Sequence, residues 1–282
     1  MKQQGSTFFM THHHGFRRAA ILSAVAVTAV VACGPLLAQD RVPSTATKAP
    51  QCAVQPDIAR FENPLSRLSL RLSGGLPIKI VAIGSSSTSG AGASAPANTY
   101  PSRLEAELRA HFPGHPLTVV NRGVGGEEAA DMLARFETNV MAENPHLVIW
   151  QVGTNSLLRD RPLDGRSRIL QEGIARLKAS RMDVVLMDPQ YAPRVLAKAE
   201  HDAAVAQIAN SAKEQKIGLL RRYDMMRHWH EIEQLPFEAF VTPDGLHMND
   251  WGYACLATSL GMAIADAATR PTETAAVPQM KR

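Results

Sequence analysis

Between residues 78 and 221 the chain repeats one arrangement: a short run rich in Val, Ile and Leu, then a stretch whose apolar residues recur at helical spacing. The runs are Ile78–Ile83, Leu117–Asn121, Leu147–Val152, Asp183–Met187 and Ile217–Arg221. The intervening helical patterns are Tyr100–Phe112, Ala129–Met141, Ser167–Ala179 and Leu196–Gln215, and Gly252–Thr269 closes the series. A run that is apolar almost throughout, rather than at alternate positions, fits a strand covered on both faces, and a helical crossover lets the next strand lie parallel. The pattern predicts one doubly wound α/β domain with a five-stranded parallel sheet. No internal repeat is visible.

The ends of the chain read differently. Residues 1–18 contain no acid and finish in Arg17-Arg18, and Ala19 to Ala32 is an uncharged run of 14 residues. A basic start before a run of that length reads as a secretory signal; a membrane-spanning helix needs roughly 20 apolar residues. Two processing routes are open. Val30-Val31-Ala32-Cys33 resembles a bacterial lipobox, which would make Cys33 a lipidated N-terminus, while Leu36-Leu37-Ala38 could end an ordinary signal. The expected segments are therefore a signal over 1–38, a Pro/Thr/Ala-rich linker over 39–56, the α/β domain over 57–270 and a tail over 271–282. Within the domain, Asp57–Ser73 reads as a lead-in helix stopped by Gly74-Gly75.

Export changes the charge reading. Processing at Cys33 removes Lys2, Arg17 and Arg18 and no acid, so the formal +4 falls to +1. The basic character belongs to the signal, and nothing points to a nucleic-acid partner. A membrane contact is expected only through a lipid on Cys33. Of the three cysteines, Cys52 and Cys255 then remain as an even pair in an oxidising compartment, where a disulfide is expected.

In an open parallel sheet, ligands bind beyond the carboxyl ends of the strands. The first strand is followed by Gly84-Ser85-Ser86-Ser87-Thr88-Ser89-Gly90, and the second by Asn121-Arg122-Gly123-Val124-Gly125-Gly126-Glu127. The third leads into Gly153-Thr154-Asn155, and Asp244-Gly245-Leu246-His247 lies near the C-terminus. These segments supply a hydroxyl, a glycine-rich turn, a carboxamide, and a carboxylate three residues before an imidazole. A serine hydroxyl is a weak nucleophile until a base takes its proton. An imidazole, with a reference pKa of roughly 6.5, suits that task. Asp244 can reach the other ring nitrogen of His247, which would hold the tautomer and stabilise the imidazolium. Donors for a developing oxyanion would be the backbone N–H of Gly126, the amide of Asn155 and the N–H of Ser86.

Each piece alone is commonplace, and the conjunction in this order carries the reading. Gly123, Gly125 and Gly126 do not make the dinucleotide pattern G-x-G-x-x-G. His111 and His115 are separated by Pro113-Gly114 and cannot share a helix face, and no Cys-x-x-Cys exists, so a metal site is not expected. No G-x-S-x-G elbow is present, which argues against an α/β-hydrolase.

The four segments together resemble the sequence blocks of SGNH hydrolases, also called GDSL esterases and lipases. Gly84-Ser85-Ser86 resembles the first block, implying Ser86 as nucleophile. Gly126 matches the glycine of the second block, Asn155 the asparagine of the third, and Asp244 with His247 the Asp-x-x-His of the last. The resemblance spans about residues 78–268. It implies a flavodoxin-like αβα sandwich, a Ser86–His247–Asp244 triad, an oxyanion hole of Ser86, Gly126 and Asn155, and no metal or organic cofactor. One position departs: Ser85 stands where the family has an aspartate, so spacing from Gly84 alone selects the middle of three serines.

The expected reaction is hydrolysis of a carboxylic ester through an acyl-enzyme, on a small-molecule or carbohydrate substrate. The small residues of Thr88–Thr99 suit short acyl groups, such as acetyl on a sugar. An envelope O-acyltransferase with the same triad and a non-catalytic periplasmic binding module are the alternatives. Arg159 and Arg161 could meet an anionic substrate or be solvated charges. Asp188, Gln190 and Tyr191 could line the site or cap the sheet, and Trp150 and Trp229 read as core.

Overall fold

The computed structural model describes Cys52 and residues 56–270. The signal, most of the linker, Cys33 and the tail lie outside the described residues. Five strands form the sheet: β1 Ile78–Gly84, β2 Leu117–Gly123, β3 Leu147–Gln151, β4 Asp183–Met187 and β5 Gly218–Leu220. Their order is β2-β1-β3-β4-β5 and every pairing is parallel. The predicted doubly wound architecture is what forms.

Helices cover both faces because each strand sends alternate residues to opposite sides. From β1, Ile80 and Ala82 join one core while Val81 and Ile83 join the other, and Leu147 and Ile149 divide from Val148 and Trp150 in the same way along β3. The first face is packed by α1 Ser66–Ser73, α3 Tyr100–His111, α10 Arg222–Glu231 and α11 Asp250–Thr269. The second is packed by α4 Ala129–Ala134, α5 Phe136–Asn139, α7 Leu163–Ala179 and α9 His201–Gln215. Short helices α2 Ser86–Ser89, α6 Thr154–Leu158 and α8 Pro193–Leu196 sit at the carboxyl ends of β1, β3 and β4. Both expected core tryptophans are buried, Trp150 at 0% and Trp229 at 1% exposure. Trp150 explains the glycine inside α7: a Cβ at Gly173 would stand 2.2 Å from the indole. Cys52 and Cys255 are joined by a disulfide with Cα atoms 5.4 Å apart, tying the start of the domain to α11. No helix among the described residues is long and apolar enough to cross a membrane.

Several elements differ in extent from the sequence pattern, each for a local reason. The lead-in helix is Ser66–Ser73 alone, because Pro64 disfavours helical backbone at Asn63. The Ala129–Met141 pattern breaks at Arg135, whose backbone leaves helical geometry between α4 and α5. The helix expected over Leu196–Gln215 starts late, as α9 at His201, and Leu196 instead ends α8. The Ser167–Ala179 helix starts earlier, at Leu163 behind Pro162. The helix α10 was hidden by its polar sequence; Tyr223, Met226 and Trp229 nonetheless face inward at helical spacing.

Candidate active site

Ser86 opens α2, directly past the end of β1. The turn needs a glycine at position 84: a Cβ there would lie 2.1 Å from Thr88 Oγ1 and 2.7 Å from Gln151 Oε1. Thr88 and Ser89 each donate a backbone hydrogen bond to Ser85 O at 3.0 Å. This tight turn separates the three serines. Ser85 and Ser87 are each 3% exposed, whereas Ser86 is only partly buried. The Ser86 Oγ lies 2.7 Å from His247 Nε2.

His247 is presented by a loop closed by the antiparallel bridge Val241–Met248. Asp244 organises that loop from inside. Its Oδ1 accepts from Thr242 Oγ1 at 2.7 Å, Leu246 N at 2.9 Å and His247 N at 3.0 Å, and its Oδ2 lies 2.5 Å from His247 Nδ1. The aspartate thus shapes its own turn with one oxygen and holds the imidazole with the other. Partial burial alone would raise its pKa, but the hydrogen bonds from the His247 ring and backbone, Thr242 and Leu246 outweigh that and hold the carboxyl well below the usual range. Gln190, one of three residues noted after β4, carries the loop's outer support. Its Nε2 donates to Leu246 O at 3.1 Å and its Oε1 accepts from Thr154 Oγ1 at 2.9 Å, linking the histidine loop to α6.

The opposite wall comes from the turn after β2. Val124 N donates to Gly84 O at 3.0 Å, and a Cβ on Gly125 would lie 4.0 Å from the Ser86 Cβ. Gly126 has φ +82, the left-handed region that favours glycine. Asn155 Nδ2 donates to Glu127 O at 2.8 Å, and Arg159 Nη2 donates to Gly126 O at 2.9 Å. The residues expected from the four sequence blocks therefore meet in one cluster at the carboxyl ends of β1, β2 and β3, with the histidine loop opposite.

Other expectations resolve otherwise. Arg159 and Arg161 are neither free for an anionic substrate nor simply solvated: both guanidiniums bind Glu128. These arginines outweigh the effect of burial and hold the Glu128 carboxyl below its ordinary range. Asp188 caps α10 by accepting from Tyr223 N at 3.0 Å, and burial pushes its carboxyl up to about 7. Tyr191 packs against Tyr223 and donates to Glu231 at 2.6 Å. Among the described residues no group of three or more His, Cys, Asp or Glu is placed to share a cation. A cavity of about 320 Å³ lies among α4, α7 and α9, lined by Glu128, Gly153, Ser156 and Arg166 among others. Ser86 and His247 are not among its walls, so the chemistry does not reside there.

Sequence reasoning missed Thr242, the Glu127–Arg135 pair and Gln151. Arg135 grips Glu127 through Nε and Nη2, at 2.6 Å for the closest contact, and also holds Arg122 O, bracing the glycine turn from below. Gln151 left one trace in the sequence: it is the sole polar residue in the strand Leu147–Gln151.

The comparisons with known proteins place this doubly wound fold among hydrolases of ester bonds. A family model described as the non-GDSL lipase-like family matches residues 51–270, and the chain belongs to that family. A curated relative, the acetylxylan esterase of Geobacillus stearothermophilus, is 25% identical over 166 residues, covering 53% of this chain and 73% of that protein. The crystal structure of an acetylxylan esterase from the same organism superposes with a TM-score of 0.57 at 22% identity, over 66% of this chain and 94% of that one. A two-domain esterase active on acetylated mannans, co-crystallised with mannopentaose, gives a TM-score of 0.61 at 20% identity, over 76% of this chain and 58% of that one. An alpha/beta hydrolase enzyme from the metagenome of Lake Arreo, Spain, gives 0.56 at 22% identity, over 68% and 98%.

Proposed function

We propose that this protein is an SGNH-type serine esterase that removes short acyl groups, acetyl above all, from a carbohydrate outside the cytoplasm. The observation that carries the reading is the continuous chain Asp244 Oδ2–His247 Nδ1 at 2.5 Å and His247 Nε2–Ser86 Oγ at 2.7 Å. Ser86 Oγ attacks the ester carbonyl while His247 Nε2 takes its proton, and Asp244 stabilises the imidazolium. The N–H groups of Ser86 and Gly126 and the amide of Asn155 receive the developing oxyanion. Collapse of the tetrahedral intermediate breaks the bond to the leaving alcohol, which takes the proton from His247. Water, deprotonated by His247, then attacks the acyl-Ser86 and releases the acid. Ser85 departs from the GDSL motif, in which an aspartate stands before the nucleophile.

Acetyl as the acyl group is supported by the small residues of Thr88–Thr99 and by the named activities of the relatives. The basic, apolar N-terminal segment supports export, with processing at Cys33 or after Ala38. A fluorophosphonate probe tests the nucleophile: peptide mapping should place the label on Ser86, and Ser86→Ala should abolish both labelling and turnover. A folded Ser86→Ala protein with near-native activity would refute the assignment. The same preparation should hydrolyse p-nitrophenyl acetate faster than the decanoate and release free acetate from acetylated xylan; a preference for decanoate would overturn the acyl-length reading.

A further inference from the structure

Beneath the nucleophile turn a single amide oxygen collects three of the hydrogen bonds that the turn sends inward. Gln151, the last residue of β3, is 1% exposed. Its Oε1 accepts from Ser85 N at 2.8 Å, from Ser85 Oγ at 3.1 Å and from Thr88 Oγ1 at 3.2 Å. Once Thr88 donates to Gln151, its oxygen is left to accept from the Tyr100 hydroxyl 3.1 Å away. Burial pushes the Tyr100 phenol up to about 12, so it keeps the proton it donates. Donation therefore runs inward from Tyr100 through Thr88, and from both donors of Ser85, onto one oxygen. A carbonyl oxygen has two lone pairs, so three donors leave none of its acceptor capacity unused.

Ser85 and Thr88 bracket Ser86 in the chain, one residue before it and two after. Fixing both fixes the peptide that carries the nucleophile and the direction in which Ser86 Oγ leaves the backbone. We infer that Gln151 is a positioning residue for catalysis, an acceptor supplied from β3 that holds Ser86 on line with His247 through Ser85 and Thr88. The inference rests on Ser86 being the nucleophile. It also accounts for the departure at position 85. A carboxylate there would be an acceptor facing another acceptor, whereas the Ser85 hydroxyl donates to the Gln151 oxygen. The hydroxyl at 85 and the amide at 151 are a complementary neutral pair.

Two substitutions test this. Gln151→Met keeps the volume and removes the acceptor, and Gln151→Glu keeps an acceptor oxygen whether protonated or ionised. Active-site titration with the fluorophosphonate normalises each preparation for its folded, reactive fraction; kcat, KM and the rate constant of labelling are then measured against pH. For Gln151→Met, kcat and the labelling rate should fall together by about 10- to 100-fold, because misplacing a reacting group by about 1 Å costs up to about 10²-fold. The KM should stay within about threefold of the native value. A purely structural role would lower the titratable fraction and leave the normalised rates unchanged, and that result, or a rise in KM alone, would overturn the inference. Should Gln151→Met fail to fold, Gln151→Glu decides. Because either protonation state of the glutamate offers an acceptor oxygen to Ser85 and Thr88, its normalised kcat and labelling rate should stay within about tenfold of native, and a loss of about 100-fold or more with the acceptor retained would overturn the inference. Labelling that persists in Ser86→Ala is a separate outcome, since it removes the nucleophile assignment itself.

Discussion

Replacing Asp244 by asparagine changes one atom of the triad and leaves its scaffold in place, so the consequence can be worked bond by bond. The three hydrogen bonds into Oδ1, from Thr242 Oγ1, Leu246 N and His247 N, survive in Asp244→Asn, because an amide oxygen accepts as a carboxylate oxygen does. The change falls on the second oxygen, 2.5 Å from His247 Nδ1, which becomes an NH2. An NH2 donates, so Nδ1 must lose its hydrogen, and the ring proton moves to Nε2. That nitrogen then points an N–H at Ser86 Oγ, 2.7 Å away, and can no longer take the serine proton. The wrong tautomer costs about 10⁴-fold in kcat in a buried triad. The Asp244 side chain is 42% exposed here, so water can partly relieve the mismatch. The expected loss is about 10³- to 10⁴-fold, or about 4–5.5 kcal/mol of transition-state stabilisation. Steady-state hydrolysis of p-nitrophenyl acetate should show this in kcat with KM nearly unchanged, since no contact with bound ester is altered. The carboxylate also enters the acid stability of the fold. Its folded pKa lies below the unfolded value of about 3.9, so its stabilisation is complete above about pH 4 and is lost as pH falls through the folded value. Thermal melts should therefore show a shallower acid-side decline for Asp244→Asn than for the native protein. A kcat within tenfold of native would refute the tautomer argument.

Two further outcomes follow from the same geometry. Asn155→Ala removes an oxyanion donor and also frees Glu127 O, so kcat should fall by about 10²- to 10³-fold with little change in KM; an unchanged kcat would exclude Asn155 from the oxyanion hole. The Cys52–Cys255 disulfide joins residues 203 apart in the chain, and chain-entropy estimates give it at most about 5 kcal/mol. Cys255→Ser should lower the Tm markedly while leaving kcat at moderate temperature near native, and a mass spectrum of the unreduced protein with two free thiols would refute the bond.

The sheet was legible because it depends on a property that single residues report. A strand covered on both faces must be apolar at successive positions, and Ile78–Ile83 and Leu147–Val152 announce that directly. Helix boundaries were less legible, because they depend on contacts the pattern cannot show. Arg135 interrupts the stretch after β2 where its guanidinium grips Glu127 and Arg122 O, and no periodicity encodes that demand. The α10 helix reads as polar until Arg222 is seen donating to Asp188 O within the core, which leaves Tyr223, Met226 and Trp229 to define the buried side.

The candidate site divides along the same line. Ser86, Asp244 and His247 were readable as candidates because the proposed chemistry needs particular residue types in a particular chain order. The parts that hold them need only an acceptor or a donor at the right point, which many residues and many sequence positions can supply. Thr242 and Gln190 brace the histidine loop, and Gln151 serves the nucleophile turn from a different strand. Support of this kind leaves no spacing rule. Ser85 shows the consequence. Against a family motif it looks like a defect, yet beside Gln151 it is the donor half of a satisfied pair. A nucleophile block is therefore better judged by whether the inward-facing hydrogen bonds of its turn close than by whether it spells the expected letters, and in this chain three of them close on one oxygen.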